Sequence, residues 1–219
     1  MLPPELPSKL AAAPRAFPFA ALQDVNERCL DLLAHAARTS KEPPFSLIAS
    51  LREPFRRSTA EGRRVAASRG VLLVDMQFDQ PLWWQQALGR PERQSRNGAG
   101  SGAFPRQSGI ELARATMTLA WNAVQADRTI APVVLGMDAE VANLIASMPL
   151  TGLDRFATRH FRRVRPRWAD RVEFWRELLF VSGAGAGAST RELDLKAMRI
   201  LLADLLRAGR RADTREKYR

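Results

Sequence analysis

The most informative part of this sequence is residues 134 to 180, which read VLGMDAEVANLIASMPLTGLDRFATRHFRRVRPRWADRVEFWRELLF. Two short helical patterns are separated there by the turn Met148-Pro149-Leu150, a spacing that is compatible with a helix–turn–helix. A segment dense in arginine follows, and then a third amphipathic pattern that carries Trp175. Two helices packed in an ordinary bundle produce the same pattern, so the sequence leaves both interpretations open.

The helices around this turn are expected to have recognisable starts. Asp138 can cap the first helix, and Thr151 with Asp154 has the spacing of an acidic capping box for the second. Upstream, residues 108–126 are apolar on nearly every face, which indicates either a central core helix or a dimer interface. A short helix after Asp79 carries two tryptophans that pack in the core or against a partner. The candidate interface residues are Ile110, Met117, Trp121, Val124, Trp83 and Trp84.

The N-terminal half is predicted to be helical around one strand. That strand covers residues 70–78, GVLLVDMQF, a short apolar run without helical spacing. Because one strand cannot form a sheet, the segment is either buried extended chain or the partner of a strand in a second chain. Asp75 lies inside it without an accompanying His, Lys or glycine-rich loop, so a cap or turn role is favoured over catalysis.

The predicted fold class is mainly α, and changes in composition divide the chain into five parts. Residues 1–16 are rich in Pro and Ala and are expected to be irregular, and residues 17–90 form the helical N-terminal subdomain with its buried strand. Residues 91–107 are rich in Gly, Ser and charge and predict a linker. Residues 108–208 are expected to form a C-terminal helical bundle with the helix–turn–helix-like pair, followed by the polar tail 209–219.

The formal net charge is +11, which attracts polyanions. Thirty of the 34 basic residues are arginine, so a GC-rich coding sequence is an alternative origin for part of this charge. The distribution is more informative, because residues 155–176 hold eight arginines against only Asp170 and Glu173. The candidate nucleic-acid-binding residues are Arg155, Arg159, Arg162, Arg163, Arg165, Arg167 and Arg171. A second patch, for which a solvated helix face is favoured, consists of Arg56, Arg57, Arg63 and Arg64.

Metal and cofactor chemistry is not expected from this composition. Cys29 is the only cysteine, which excludes an internal disulfide and a thiolate metal cluster. His35 and His160 lie far apart, and neither glycine-rich segment ends in the Lys-Ser/Thr of a phosphate loop. We therefore predict no metal site, no cofactor and no catalytic residue. The chain shows no membrane-length apolar run and no secretory signal, so a cytoplasmic protein is expected.

The order of elements resembles the flagellar master regulator subunit FlhD and FlhD-like activator subunits carried on mobile elements. The resemblance covers residues 108–180, where a long helical region precedes a Leu-Gly-hydrophobic motif, a short helix, a Leu-containing turn and a second helix. The matching residues are Leu135, Gly136, Met137, Val141, Leu144, Ile145, Leu150, Leu153 and Phe156. An additional N-terminal half and an extra C-terminal helix depart from the family pattern.

This resemblance implies an all-helical homodimer that joins a second, zinc-bearing subunit and activates transcription on double-stranded DNA. The chain lacks the cysteines of that zinc-bearing partner, so it corresponds only to the FlhD-type half. We therefore expect a DNA-linked transcriptional regulator that acts with a partner subunit. The alternative is a cytoplasmic adaptor of a secretion or conjugation apparatus, in which the arginine cluster and the tryptophan pairs bind an acidic protein partner. An enzyme ranks below both.

Overall fold

The computed structural model describes residues 16–41, 45–89, 102–183 and 189–216. Within these ranges the chain forms ten α-helices, one short 3₁₀ helix and one two-stranded antiparallel sheet. The prediction of a mainly α fold is therefore confirmed. A search of the same ranges for a helix long and apolar enough to cross a membrane finds none. The predicted irregular segment, residues 1–16, lies almost wholly outside the described residues.

Three helices make up the N-terminal part. They are α1 (Phe19–Thr39), α2 (Ser46–Arg57) and α3 (Ala60–Ala67). The buried stripe of α1 includes Leu22, Val25 and Cys29, and this helix packs against both α2 and α3. Pro54 lies inside α2, and the backbone three residues earlier, at Leu51, leaves the helical region. Thr59 caps α3 by accepting a hydrogen bond from the Gly62 amide at 3.0 Å.

The predicted strand over residues 70–78 is much shorter in the structure. Only Val74–Asp75 form strand β1, which pairs antiparallel with β2 (Arg165–Pro166) in the same chain. Before β1, residues 71–73 are buried and their backbone bonds to a side chain of α1, whereas after β1 the chain turns, with Gln77 at φ +58°. Asn26 accepts a hydrogen bond from the Leu73 amide at 2.8 Å and donates to the Val71 carbonyl at 2.9 Å. A buried asparagine therefore takes the place that a long neighbouring strand would occupy.

The middle of the chain contains the helix around which the others pack. The elements here are α4 (Pro81–Gly89), α5 (Arg106–Ala126) and α6 (Ile130–Leu135). Helix α5 packs against α1, α6 and the elements that follow, which is why it is apolar on most faces. The predicted linker, 91–107, is described only from residue 102, and its end differs from the prediction. Phe104 is buried there, and α5 already begins at Arg106.

The helix–turn–helix-like pair is present as two short helices. They are α7 (Ala139–Ser147) and α8 (Leu150–His160), and a 3₁₀ turn, η1 (Phe161–Arg163), continues directly from α8. Asp138 caps α7 by accepting from the Glu140 amide at 2.8 Å, as expected. The capping box predicted at Thr151 is wrong, because the cap position of α8 is Pro149, two residues earlier, and no side chain caps the helix. Pro149 has φ −70° and ψ 148°, an extended conformation that the proline ring permits.

The last two helices connect the C-terminal part to the N-terminal part. Helix α9 (Val172–Gly183) packs on α2 and α3, and α10 (Ser189–Glu216) packs on α9 and α6. Helix α10 continues past the predicted end at residue 208. Trp175 of α9 is fully buried and lies 6.2 Å from the Phe55 ring of α2. Helices from both sides of the predicted linker therefore contribute to one hydrophobic core.

Candidate nucleic-acid interface

The exposed side of α8 and η1 carries four of the predicted arginines, and this surface is here called the α8–η1 face: Arg155, Arg159, Arg162 and Arg163. The opposite side of α8 buries Leu153, Phe156 and Ala157 against the core. Because residues three or four apart share one side of a helix, burying this apolar stripe turns the arginines outward together. All four arginines are exposed.

The α8–η1 face has little compensating negative charge. Arg155, Arg159 and Arg163 form no ion pair with any residue in the described part of the chain. The carboxylate of Asp154, which is also exposed on α8, is already paired with Arg114 of α5 at 2.6 Å. Three exposed arginines without carboxylate partners among the described residues, Arg155, Arg159 and Arg163, produce a local positive potential that attracts phosphates.

An aromatic cluster lies under one end of this face. The Trp84 ring stacks between Phe78, at 5.9 Å, and Phe156, at 4.7 Å, while Trp83 meets Phe156 edge-on. The Arg163 guanidinium lies over the Trp83 ring, 5.7 Å from its centroid. This contact between α4 and η1 holds one arginine of the face against a rigid support.

His160 lies between the aromatic cluster and the arginines. Its ring centroid is 4.5 Å from that of Phe156 and 5.4 Å from that of Trp83. Burial and the neighbouring charges of Arg159 and Arg163 lower the pKa of His160 to about 4. Its Nε2 is buried without a hydrogen-bond partner among the described residues. The imidazole is therefore neutral at physiological pH and adds no charge to the face.

The position of η1 is set by close packing on α5. A Cβ atom at Gly109 would lie 3.0 Å from the Phe161 ring, and one at Gly102 would lie 3.2 Å from the Arg162 Cα. Phe161 thus occupies space that only a glycine on α5 leaves open. This packing fixes the position of η1 and therefore the point from which the Arg162 and Arg163 side chains extend into solvent.

Arg167 was predicted to bind nucleic acid, but the structure corrects this assignment. Its guanidinium lies inside the protein and donates to the carbonyl oxygens of Leu135, at 2.7 Å, and Gly136, at 2.8 Å. These carbonyls end α6, so Arg167 caps that helix from another part of the chain. Gly136 has φ +58°, and a Cβ there would lie 1.4 Å from Arg167 Nη2, so this position requires glycine. Burial lowers the pKa of Arg167, although Asp75, Asp204 and Asp79 oppose the shift.

Two more of the predicted arginines are held by carboxylates. Arg165 pairs with the buried Asp75 at 2.8 Å, beside the β1–β2 pairing. Arg171 pairs with Asp204 of α10 at 3.0 Å, and the same carboxylate accepts from the Trp168 indole at 2.8 Å. Both arginines therefore join elements of the fold and are paired with carboxylates, although the Arg165 side chain remains 53% exposed. Asp75 also accepts from the Phe78 amide at 3.3 Å, the turn role that its sequence context favours.

The candidate interface residues around the tryptophans also require correction. Four of them lie in the core of this chain and are not accessible to a partner: Ile110, Met117, Val124 and Trp84. The reason is that α5 is covered by its own neighbours on several sides. Trp83 and Trp121 are half-buried, and the Trp121 indole donates to the Met148 carbonyl at 3.0 Å. The prediction of a homodimer therefore does not rest on these side chains.

The second arginine patch, here called the α2–α3 patch, is internally neutralised. Its four arginines each lie within salt-bridge distance of a carboxylate. Glu53 pairs with Arg57 at 2.7 Å and with Arg56 at 3.5 Å. Asp31 pairs with Arg63 at 2.5 Å, and Arg64 pairs with Glu61 at 2.6 Å. The prediction of a solvated helix face agrees with this arrangement.

The described residues bring no group of three or more His, Cys, Asp or Glu side chains together as a metal could require. Sequence reasoning missed Arg114, because its partner Asp154 is 40 residues away and no local pattern connects them. A comparison of the chain with protein-family models, with curated proteins and with solved structures finds no match. The function is therefore inferred from the surface itself.

Proposed function

We propose that this protein is a DNA-binding transcriptional regulator whose α8–η1 face contacts the phosphate backbone. The observation that carries the proposal is the exposed arginine group on α8 and η1, of which Arg155, Arg159 and Arg163 have no carboxylate partner among the described residues. Arginine suits this task because its planar guanidinium binds phosphate oxygens with two parallel hydrogen bonds. We expect these arginines to contact phosphates, which position a protein on DNA, and we assign no residue to the recognition of bases.

The partners belong to the same proposal. The resemblance to FlhD-type subunits supports a homodimer and a second, zinc-bearing subunit, with double-stranded DNA bound by the assembly. A regulator of this kind acts in the cytoplasm. The short pair α7 and α8, joined at Met148 and Pro149, is compatible with a helix–turn–helix in which α8 is the exposed helix.

Chromatin immunoprecipitation of the tagged protein in its native host tests this function, because any partner subunit is then present. We expect discrete promoter peaks for the wild type and their loss in the double variant Arg155→Gln/Arg159→Gln. The matched control is Arg56→Gln/Arg57→Gln, which removes the same charge from the α2–α3 patch and should keep the peaks. A flat profile for a wild-type protein that is folded and expressed contradicts the proposal.

A second candidate function is a protein-binding adaptor, which an apolar surface on α9 and α10 favours. Its exposed large side chains are Phe180, Leu195, Leu202 and Leu206. The three leucines are seven and four residues apart and so lie on one side of α10. Exposed apolar stripes of this kind often mark contacts with other proteins. Under the adaptor hypothesis, replacing Leu195 and Leu202 with Ser should abolish binding of the protein partner, whereas under the regulator hypothesis the same variant should bind duplex DNA as the wild type does.

A further inference from the structure

We propose that Arg114 of α5 is part of the nucleic-acid interface, where it neutralises Asp154 and keeps the α8–η1 face positive. The inference rests on the proposed function and adds a residue that lies outside the arginine-dense segment. Its role is indirect: Arg114 acts on bound DNA through Asp154, whereas the arginines of the face contact phosphates themselves.

The geometry shows a bridge between two helices. Arg114 Nε lies 2.6 Å from Asp154 Oδ1, and its Nη2 donates to Asp154 Oδ2 at 3.3 Å. The same nitrogen donates to the Thr158 hydroxyl at 3.3 Å, one turn further along α8. One guanidinium therefore fixes two consecutive turns of α8 from the side of α5. The Asp154 and Arg114 side chains remain 59% and 45% exposed, so bound DNA can approach them.

The charge of Asp154 explains why this pair matters. Asp154 precedes Arg155 in sequence, and it is the sole acidic residue of α8. An uncompensated carboxylate there would repel phosphates that approach the neighbouring arginines and would offer those arginines a competing partner. Exposed ion pairs contribute little to folding stability, so losing this pair should not unfold the protein. We therefore expect the loss of this pair to weaken DNA binding.

A double-mutant cycle tests the inference with duplex DNA of a bound promoter or, in its absence, a random duplex at low salt. Arg114→Gln should weaken binding by about threefold to tenfold, because it removes one positive charge and exposes one negative charge. Asp154→Asn alone should leave affinity unchanged or raise it slightly. The double variant Arg114→Gln/Asp154→Asn should return to within about twofold of wild type, since both charges are gone.

Two outcomes overturn the inference. A loss in Arg114→Gln that Asp154→Asn does not restore would mean that Arg114 binds phosphate directly or supports the fold. The absence of any loss would mean that Asp154 does not affect binding. Thermal unfolding of the same four proteins separates a folding defect from the proposed effect, because the inference predicts nearly equal midpoints. Arg56→Gln controls for net charge and should change affinity by less than about twofold.

The cycle also distinguishes this inference from the proposed function. If Arg155→Gln/Arg159→Gln binds duplex DNA as tightly as wild type, the α8–η1 face is not the interface and both ideas fail. If that variant loses binding but the Arg114 and Asp154 variants show no coupling, only the role of Arg114 is contradicted.

Discussion

The α2–α3 patch and the α8–η1 face carry four arginines each, yet they differ in what surrounds those arginines. Around α2 and α3, four carboxylates lie close to four guanidinium groups, two of them on α1 (Glu27 and Asp31) and two on α2 and α3 (Glu53 and Glu61). On α8, the nearby carboxylate of Asp154 is already occupied by Arg114. Arginine count alone therefore says little about polyanion binding. The distribution of acidic side chains in three dimensions determines which surface keeps a positive potential.

Arg167 differs from the arginines of both surfaces, because its guanidinium lies inside the protein. Arg167→Ala should destabilise the protein by about 2–4 kcal/mol, since it leaves the last carbonyls of α6 without donors. Urea unfolding measures this change. The control, Arg155→Ala, should stay within about 0.5 kcal/mol of wild type because the residue is exposed. Equal stabilities for the two variants would contradict the assignment of Arg167 to the fold.

Arg63, the least exposed arginine of the α2–α3 patch, should also stabilise the fold, but by less than Arg167 does. Arg63 is only 12% exposed, and it bonds to Asp31 at 2.5 Å and to the Ser58 carbonyl at 2.7 Å. Arg63→Ala should lower the free energy of unfolding by about 1–2 kcal/mol and leave DNA affinity unchanged. Calorimetry and a binding titration on the same sample check both parts. Weaker DNA binding by a folded Arg63→Ala protein would remove the contrast between the two surfaces.

His160, which lies beside the α8–η1 face, should make the free energy of unfolding depend on pH. The pKa of His160 in the folded protein is about 4, whereas an imidazole in the unfolded chain titrates near ~6.5. The unfolded state therefore binds a proton first as the pH falls. The contribution of His160 is fully present above about pH 6.5 and declines as the pH falls towards 4.

Unfolding midpoints at pH 7.5 and pH 5 measure this decline. The variant His160→Phe keeps an aromatic ring against Phe156 and should show a smaller drop in midpoint between the two pH values. Bound DNA brings phosphates to Arg159 and Arg163, whose charges help to lower this pKa, so the decline should also shrink in the complex. An identical drop in the wild type and in His160→Phe would assign the pH dependence to other groups.

Local patterns predicted the elements of the face but not which arginines belong to it. The apolar stripe with Leu153 and Phe156 predicts α8, and its burial leaves Arg155 and Arg159 exposed. The caps at Thr59 and Asp138 follow from the preference of short polar side chains for helix starts. These features depend on residues a few positions apart, where spacing along the chain determines spacing in space.

The partners of the other arginines and the pairing of the two strands depend on contacts between residues that are distant in sequence. Arg165 finds Asp75 across 90 residues, and Arg167 finds the Leu135 carbonyl across 32. Strand β2 lies within residues 164–168, VRPRW, where apolar and polar residues alternate as in a strand, but no local feature identifies β1, 90 residues earlier, as its partner. The sequence therefore predicts one role for seven arginines that lie close together, although tertiary contacts divide them between the surface and the fold.

The most direct test of the difference between the two surfaces is the salt dependence of duplex DNA binding, measured by fluorescence anisotropy. We expect Arg155→Gln/Arg159→Gln to reduce the slope of log K against log salt by about two, one for each lost phosphate contact. We expect Arg56→Gln/Arg57→Gln to keep the wild-type slope, because those arginines are paired with Glu53. Equal slopes for the two double variants would contradict the central claim that the α8–η1 face, and not the α2–α3 patch, binds nucleic acid.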